Sequence, residues 1–245
     1  TPEARLMVDK LLVEGAALKG GQVSFAESCL WPDDVKHSNR KGTYEQHFIN
    51  VPDEAFTVDL LRDCAALNCL ATGIQQALTY LSQPADSSRE KTRRAAALRF
   101  LGHFIGDLHQ PLHVGNASDW GGNKITILWQ GKETNLHALW DYGMLQSMGI
   151  KYPDSLNFLL SVEKNSKNKH IIDWFNESLS LGRTNAYSNA QGNTIASGDS
   201  LGPDYLERNK PVLIAQLVLA SERLATILNE IAAGEQPRVF LLISA

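Results

Sequence analysis

Cysteine is scarce in this sequence: Cys29, Cys64 and Cys69 are the three among 245 residues. Cys64 and Cys69 are close enough in the chain to close a small disulfide loop, leaving Cys29 unpaired; two free thiols near a helix start are the other reading. A disulfide would fit an oxidising compartment. Basic charge is not in excess either: 23 Lys and Arg stand against 27 Asp and Glu, a net charge of −4. That balance excludes overall electrostatic attraction to nucleic acid, so a nucleic-acid enzyme of this charge needs metal ions or a local basic patch. No uninterrupted apolar run is as long as a bilayer is thick. The opening residues, Thr1-Pro2-Glu3-Ala4-Arg5, are not a secretory signal, and low-complexity tracts and internal repeats are lacking. Nothing resembling a linker divides the chain, so the expectation is a single, mostly α domain over residues 1–245.

What is present is an ordinary soluble composition, 43% hydrophobic and 20% charged. Thr1 followed by Pro2 and Glu3 starts a helix, with Ala4, Val8, Leu11 and Leu12 as its apolar stripe and Gly20-Gly21 as its break. Pro32 predicts an extended bend at Trp31, and Ser38 to Thr43 reads as a basic loop. Tyr44 to Val51 reads as a short extended piece. Ile74, Ala77, Leu78 and Leu81 mark a helix closed by Pro84. Ser87 and Glu90 form a capping-box pattern that opens a long helix ending before Pro111. Asn116 to Asn123 is a Gly-rich loop. Lys124 to Trp129, with the Gln130-Gly131 turn, predicts a small hairpin, and Asn135 caps the next helix. Further helices are expected near Asp154–Glu163, His170–Leu181 and Lys210–Ala233, with a polar loop from Gly182 to Gly202. The Val239–Ile243 run and the 234–245 tail have no assignment.

The chemistry concentrates between His103 and Asp141. His103 and Asp107, and again His137 and Asp141, are four residues apart, so on a helix each pair puts an imidazole and a carboxylate on one face. His113 lies just beyond Pro111, where the first helix must end. The seven histidines also include His37, His47, His109 and His170. Any one of them alone reads as a satisfied or surface side chain. Two spaced pairs plus His113 in one short stretch read as a metal site, and the absence of Cys ligands makes it hydrolytic rather than structural. His109 lies around the helix from the His103–Asp107 face and is not expected to be a ligand.

The run Arg99 to His113, followed by Gly121-Gly122-Asn123-Lys124 and Asn135-Leu136-His137-Ala138-Leu139-Trp140-Asp141, resembles the zinc-dependent single-strand nucleases of the mung bean nuclease, nuclease P-one and 3′-nucleotidase type. Bacterial zinc phospholipase C shares their fold. The resemblance extends from Thr1 to about Ala233. It implies a mainly α helical bundle with a small β-hairpin. It also implies that Asp33 and His47 join His103 and Asp107 around one zinc, while His113, His137 and Asp141 hold a second. In the family, Asp107's counterpart also reaches a third zinc, completed by an amino-terminal Trp and a nearby His. This sequence begins at Thr1 and has no His before His37, so the family's first helix and those ligands are expected to lie outside it.

The resemblance further implies hydrolysis of single-stranded DNA and RNA to 5′-nucleotides, removal of phosphate from 3′-mononucleotides, and a secreted or periplasmic location. Asp33 would also orient the attacking water, and Lys36, where relatives commonly carry Arg, would face the phosphate. A solvated loop charge is the other reading of Lys36. Phe48 resembles the base-stacking aromatic, with a core Phe as its other reading. Asn50 and Asn123 would bond a base edge. No membrane span and no obligate protein partner are expected. The competing functions are a zinc phospholipase C and a non-catalytic zinc-binding helical protein. The sequons at Asn116 and Asn176 carry little weight.

Overall fold

A computed structural model describes residues 1–16, 24–37, 41–162 and 170–237. Among them, helices dominate. In chain order they are α1 (Pro2–Glu14), α2 (Phe25–Ser28) and α3 (Trp31–Lys36), then β1 (Ile49–Val51), α4 (Leu60–Asp63), α5 (Leu70–Ser82) and α6 (Ser88–Leu108). There follow β2 (Val114–Asn116), β3 (Thr126–Trp129), β4 (Lys132–Asn135), α7 (Leu136–Ala138), α8 (Met144–Ser147), α9 (Leu156–Ser161), α10 (Ile171–Leu181), β5 (Ser200–Leu201) and α11 (Pro203–Ala232).

The long helix α6 is the centre of the architecture. Its capping box is formed as expected: the Glu90 amide donates to Ser87 Oγ, and the Ser87 amide donates to Glu90 Oε2. Leu98, Leu101, Phe104, Ile105 and Leu108 are buried along it, and α1, α3, α5 and α11 pack around it. Each such side chain contributes roughly 1.5–3 kcal/mol by leaving water. Arg99 is buried too; its guanidinium donates to the carbonyl of Gly15, where α1 ends. A cation there completes a helix C-terminus. That places the end of α1 ahead of Gly20-Gly21, which lies outside the described residues.

A second, smaller core gathers Ile127, Trp129, Leu136, Leu139, Trp140, Met144 and Leu201 around the hairpin. β3 and β4 pair antiparallel through Gln130 (φ 52°) and Gly131 (φ 77°), the left-handed pair that a two-residue hairpin turn requires. β5 adds a third strand, parallel to β3. The C-terminal end of α6 and the 3₁₀ turn Pro111–His113 join the two cores, since Leu108 and Val114 belong to the larger and Leu112 to the smaller.

Several local expectations are corrected. Pro32 does not make a bend; it sits in the first turn of α3, where its missing N–H costs nothing. Tyr44 to Val51 is not one extended piece. Lys41–His47 is a 3₁₀ helix, and only β1 is extended, pairing parallel with β2. Residues 38–40 of the basic loop, and Glu163, lie outside the described set, as does the Val239–Ile243 run. The last helix starts at Pro203 rather than Lys210, because its first two turns are polar (Asp204, Glu207, Arg208, Asn209) and show no apolar period. By length and composition α11 is apolar enough to cross a bilayer, contrary to the reading of uninterrupted runs. It packs here as a core helix, burying Leu213, Ile227 and Leu228 together with Asn209, Gln216 and Arg223.

Cys64 and Cys69 are disulfide-bonded and Cys29 is free. Both sequon asparagines use their carboxamide oxygens internally, Asn116 accepting from Arg183 and Asn176 from the Val58 amide.

Candidate metal centre

Two groups of ligand atoms face one cleft of about 630 Å³. In the first, His47 Nδ1 and His103 Nε2 are 2.9 Å apart. Asp107 Oδ2 lies 3.1 and 3.2 Å from them, and Asp33 Oδ1 lies 3.5 and 3.4 Å from them. In the second, Asp141 Oδ1 is 3.3 Å from His113 Nε2, and its Oδ2 is 3.4 Å from His137 Nε2. Asp107 stands between the groups, its Oδ1 lying 3.4 Å from the His113 ring.

The helices supply part of this directly. His103 and Asp107 are one turn apart on α6, and α6 ends at His109. Gln110 then caps the 3₁₀ turn that carries His113. Asn135 Oδ1 accepts the Ala138 amide and starts the helix of His137. That helix continues as a π-turn over Leu139–Gly143, which carries Asp141. A π-turn of this kind is common at functional sites.

The backbone fixes the rings. His103 Nδ1 donates to the Cys29 carbonyl at 2.7 Å, His113 Nδ1 to the His47 carbonyl at 2.8 Å, and His137 Nδ1 to the Gly121 carbonyl at 2.7 Å. Each bond sets the tautomer and turns the Nε2 lone pair into the cleft, as metal-ligating imidazoles require. Gln110 Nε2 holds Asp141 Oδ1 at 2.7 Å. These four supports were missed by the sequence reading. Three are carbonyls, which any residue supplies, and Gln110 had no pattern to mark it.

The donor set fits a divalent zinc ion. Tetrahedral zinc with bonds of about 2.0–2.1 Å separates its ligands by about 3.3 Å, and the first group's separations bracket that value. Asp107 Oδ2 is buried with no hydrogen-bond partner among the described residues, although two imidazole nitrogens face it. A cation between them would resolve that unpaired oxygen.

Without a cation, protons take its place. Burial disfavours charge on His103, but Asp107 and then Asp33 outweigh it and lift the imidazole to about 10. Burial likewise opposes charge on His113, yet Asp107 and Asp141 raise it to about 9. Burial chiefly lowers His47 and His137. Burial also opposes the charge on Asp107, but His103 and His113 hold its carboxyl well below the usual carboxylate range.

Two raised imidazoles are protonated at pH 7 and must give up their protons to ligate. Loading the metal-free protein with zinc at pH 7 is therefore expected to release two protons per chain, from His103 and His113. Indicator absorbance in weak buffer measures this, and loading without proton release would overturn the assignment. The same groups set the metal-free stability. The raised imidazoles stabilise fully below their unfolded value of about 6.5 and lose that contribution as pH climbs through about 9 and about 10. Melting temperature should fall over that alkaline window.

The remaining sequence candidates lie at the edge or elsewhere. Lys36 Nζ donates to Asp33 Oδ1 at 2.7 Å, one turn along α3, and lines the cleft. Phe48 is half-buried, edge-on to Tyr44 at 5.7 Å. Asn50 lies on β1 opposite Gly115. Asn123 Nδ2 donates to the Trp120 carbonyl at 2.9 Å, so part of its amide holds its own loop. His37 and His170 are exposed and outside the cleft. His109 is buried and no part of either ligand group: Nδ1 donates to the Ile105 carbonyl and Nε2 accepts from Arg223 Nη1 at 2.7 Å. Burial and then Arg223 push its pKa down to about 3, so the ring is neutral.

A mainly helical scaffold that turns four imidazoles and three carboxylates into one cleft defines a class of helical proteins with paired metal-ligand sets. Residues 1–233 match the profile of the S1/P1 Nuclease family, and the chain belongs to that family of nucleic-acid hydrolases. Endonuclease 4 of Arabidopsis thaliana is 32% identical over 243 residues, 89% of this chain and 80% of that protein. Nuclease P1 of Penicillium citrinum is 31% identical over 235 residues, 86% of this chain and 85% of the relative. Nuclease S1 of Aspergillus oryzae is 28% identical over 236 residues, 85% and 79% respectively.

Proposed function

We propose that this protein is a zinc-dependent phosphodiesterase that cuts single-stranded DNA and RNA to 5′-nucleotides and also removes phosphate from 3′-mononucleotides. The observation that carries this reading is the pair of ligand groups on one cleft with Asp107 between them. His47, His103, Asp33 and Asp107 would hold one zinc ion, and His113, His137 and Asp141 a second. Bound zinc supplies hydroxide near neutral pH and offsets charge on phosphoryl oxygens.

The chain's own groups do the rest. Asp33, half-exposed at the rim, accepts a proton from the attacking water and orients it for in-line attack on phosphorus. Lys36, held beside Asp33, places its ammonium against the phosphate as a point charge rather than a bidentate fork. Gln110 keeps Asp141 turned toward His113. Phe48, only half-buried, offers a face to a base, and Asn50 and Asn123 offer amides to its edge. Stacking selects unpaired strands, because a base within a duplex has no free face to give. The disulfide supports a secreted or periplasmic location.

The test combines zinc content with a substrate panel: single-stranded DNA, RNA, 3′-AMP and phosphatidylcholine, each with and without chelator. Hydrolysis of the first three, abolished by chelation and restored by zinc, is expected. Activity that survives exhaustive chelation would sink the zinc reading, and cleavage of the lipid alone would replace it with a phospholipase C.

A further inference from the structure

Five tryptophans occur in the chain, and four are core residues: Trp31, Trp129, Trp140 and Trp174 are no more than 8% exposed. Trp120 is 60% exposed. It also has φ of 57°, a left-handed conformation that costs a bulky residue energy and persists only where its surroundings enforce it. Here they do. The Gly121 amide donates to the Asn116 carbonyl and the Gly122 amide to Asp119 Oδ1. Asn123 Nδ2 donates to the Trp120 carbonyl itself. Asp119 is braced in turn by the Tyr187 hydroxyl at 2.9 Å. Lys124 Nζ, tied to the Ser118 carbonyl, lies 4.1 Å from the centre of the indole. The next residue, Gly121, provides the carbonyl that holds His137. A strained aromatic is thus clamped in water one residue from a support of the metal centre.

We propose that Trp120 is a nucleobase-stacking subsite of the cleft, which binds a base of the single strand next to the scissile phosphate. The inference rests on the phosphodiesterase reading above. Its chemistry is that of single-strand binding generally: a rigid aromatic face for the base and a cation beside it for the backbone. Lys124 serves as that cation and stiffens the indole from one side. A clamped ring loses little freedom when a base stacks on it, which favours affinity. Trp120 would thereby set the preference for polynucleotide over mononucleotide, since a lone nucleotide has no neighbouring base to place there.

Fluorescence tests this without turnover. Because the other four indoles are buried, Trp120 is the one that a quencher in water reaches. A phosphorothioate oligothymidylate, which resists cleavage, is expected to quench this emission and shield it from acrylamide. In kinetics, Trp120→Ala should raise KM for an oligonucleotide about tenfold, equivalent to about 1.4 kcal/mol, with much less change in kcat. The ratio of kcat/KM for oligonucleotide over 3′-AMP should fall by a similar factor, and Trp120→Phe should recover most of it. Unchanged fluorescence on adding oligonucleotide, or an unchanged ratio in Trp120→Ala, overturns the proposal. So does an equal loss on both substrates with loss of zinc, which would mean that the loop merely supports His137. If the unmodified protein cleaves neither substrate, the phosphodiesterase reading falls, and the fluorescence titration alone decides the role of Trp120.

Discussion

Asp107→Ala is expected to abolish metal binding and hydrolysis together. This carboxylate is 9% exposed, has Oδ2 within 3.2 Å of both His47 Nδ1 and His103 Nε2, and turns Oδ1 toward His113. Losing an outer support of a metal ligand typically costs about 10–100-fold. Losing a group shared by both clusters should cost more, at least about 10³ in kcat/KM. The substitution also removes the main partner of the charge on His103 and His113, so both imidazoles should titrate near or below neutrality in the variant. Zinc per chain, kcat/KM and imidazole titration by NMR check the three parts.

His109→Ala is the matched control. It sits at the end of the same helix but bonds to Ile105 and Arg223 instead of facing the ligand groups. It should keep its zinc while losing about 1–3 kcal/mol of stability, because the buried Arg223 guanidinium loses an acceptor. Equal loss of zinc from both variants would count against the ligand assignment.

Gly121→Ala should have the second largest effect, although Gly121 contributes no side chain. It has φ of 61°, and a Cβ there would lie 2.2 Å from the Leu112 carbonyl oxygen. Backbone cannot step aside as a flexible side chain does, so the 116–124 loop must move. That movement withdraws the carbonyl that orients His137. The expected result is a loss of several kcal/mol of stability together with weakened zinc binding at the His113–His137–Asp141 group. Gly131→Ala separates strain from contact. Its φ is 77°, but nothing lies within 4 Å of the new methyl, so about 1 kcal/mol of backbone cost should be all. If the two variants melt alike and retain equal zinc, the close approach of Gly121 to Leu112 is wrong.

How much of this could be read from residues alone follows from the range of each interaction. The start of α6 was legible because Ser87 and Glu90 settle it within one turn. The hairpin at Gln130-Gly131 and the Asn135 cap were legible for the same reason. The polar first turns of α11 and the third strand, β5, were not: they are stabilised by partners far along the chain, such as Asn209 buried against Asn185 and β5 against β3. Pro32 misled because proline signals a break and a helix start alike, and the context decides which.

The site divides in the same way. The sequence by itself determined which residue types carry the chemistry and that His103 with Asp107, and His137 with Asp141, share a face, because a helical repeat places residues four apart together whatever surrounds them. Only the tertiary structure decided which nitrogen of each ring faces the cleft. That choice is made by carbonyls 74, 66 and 16 residues away from His103, His113 and His137. A carbonyl is identical in every residue and leaves no trace in composition or spacing. It acts on a distant imidazole only after the chain has folded it into place.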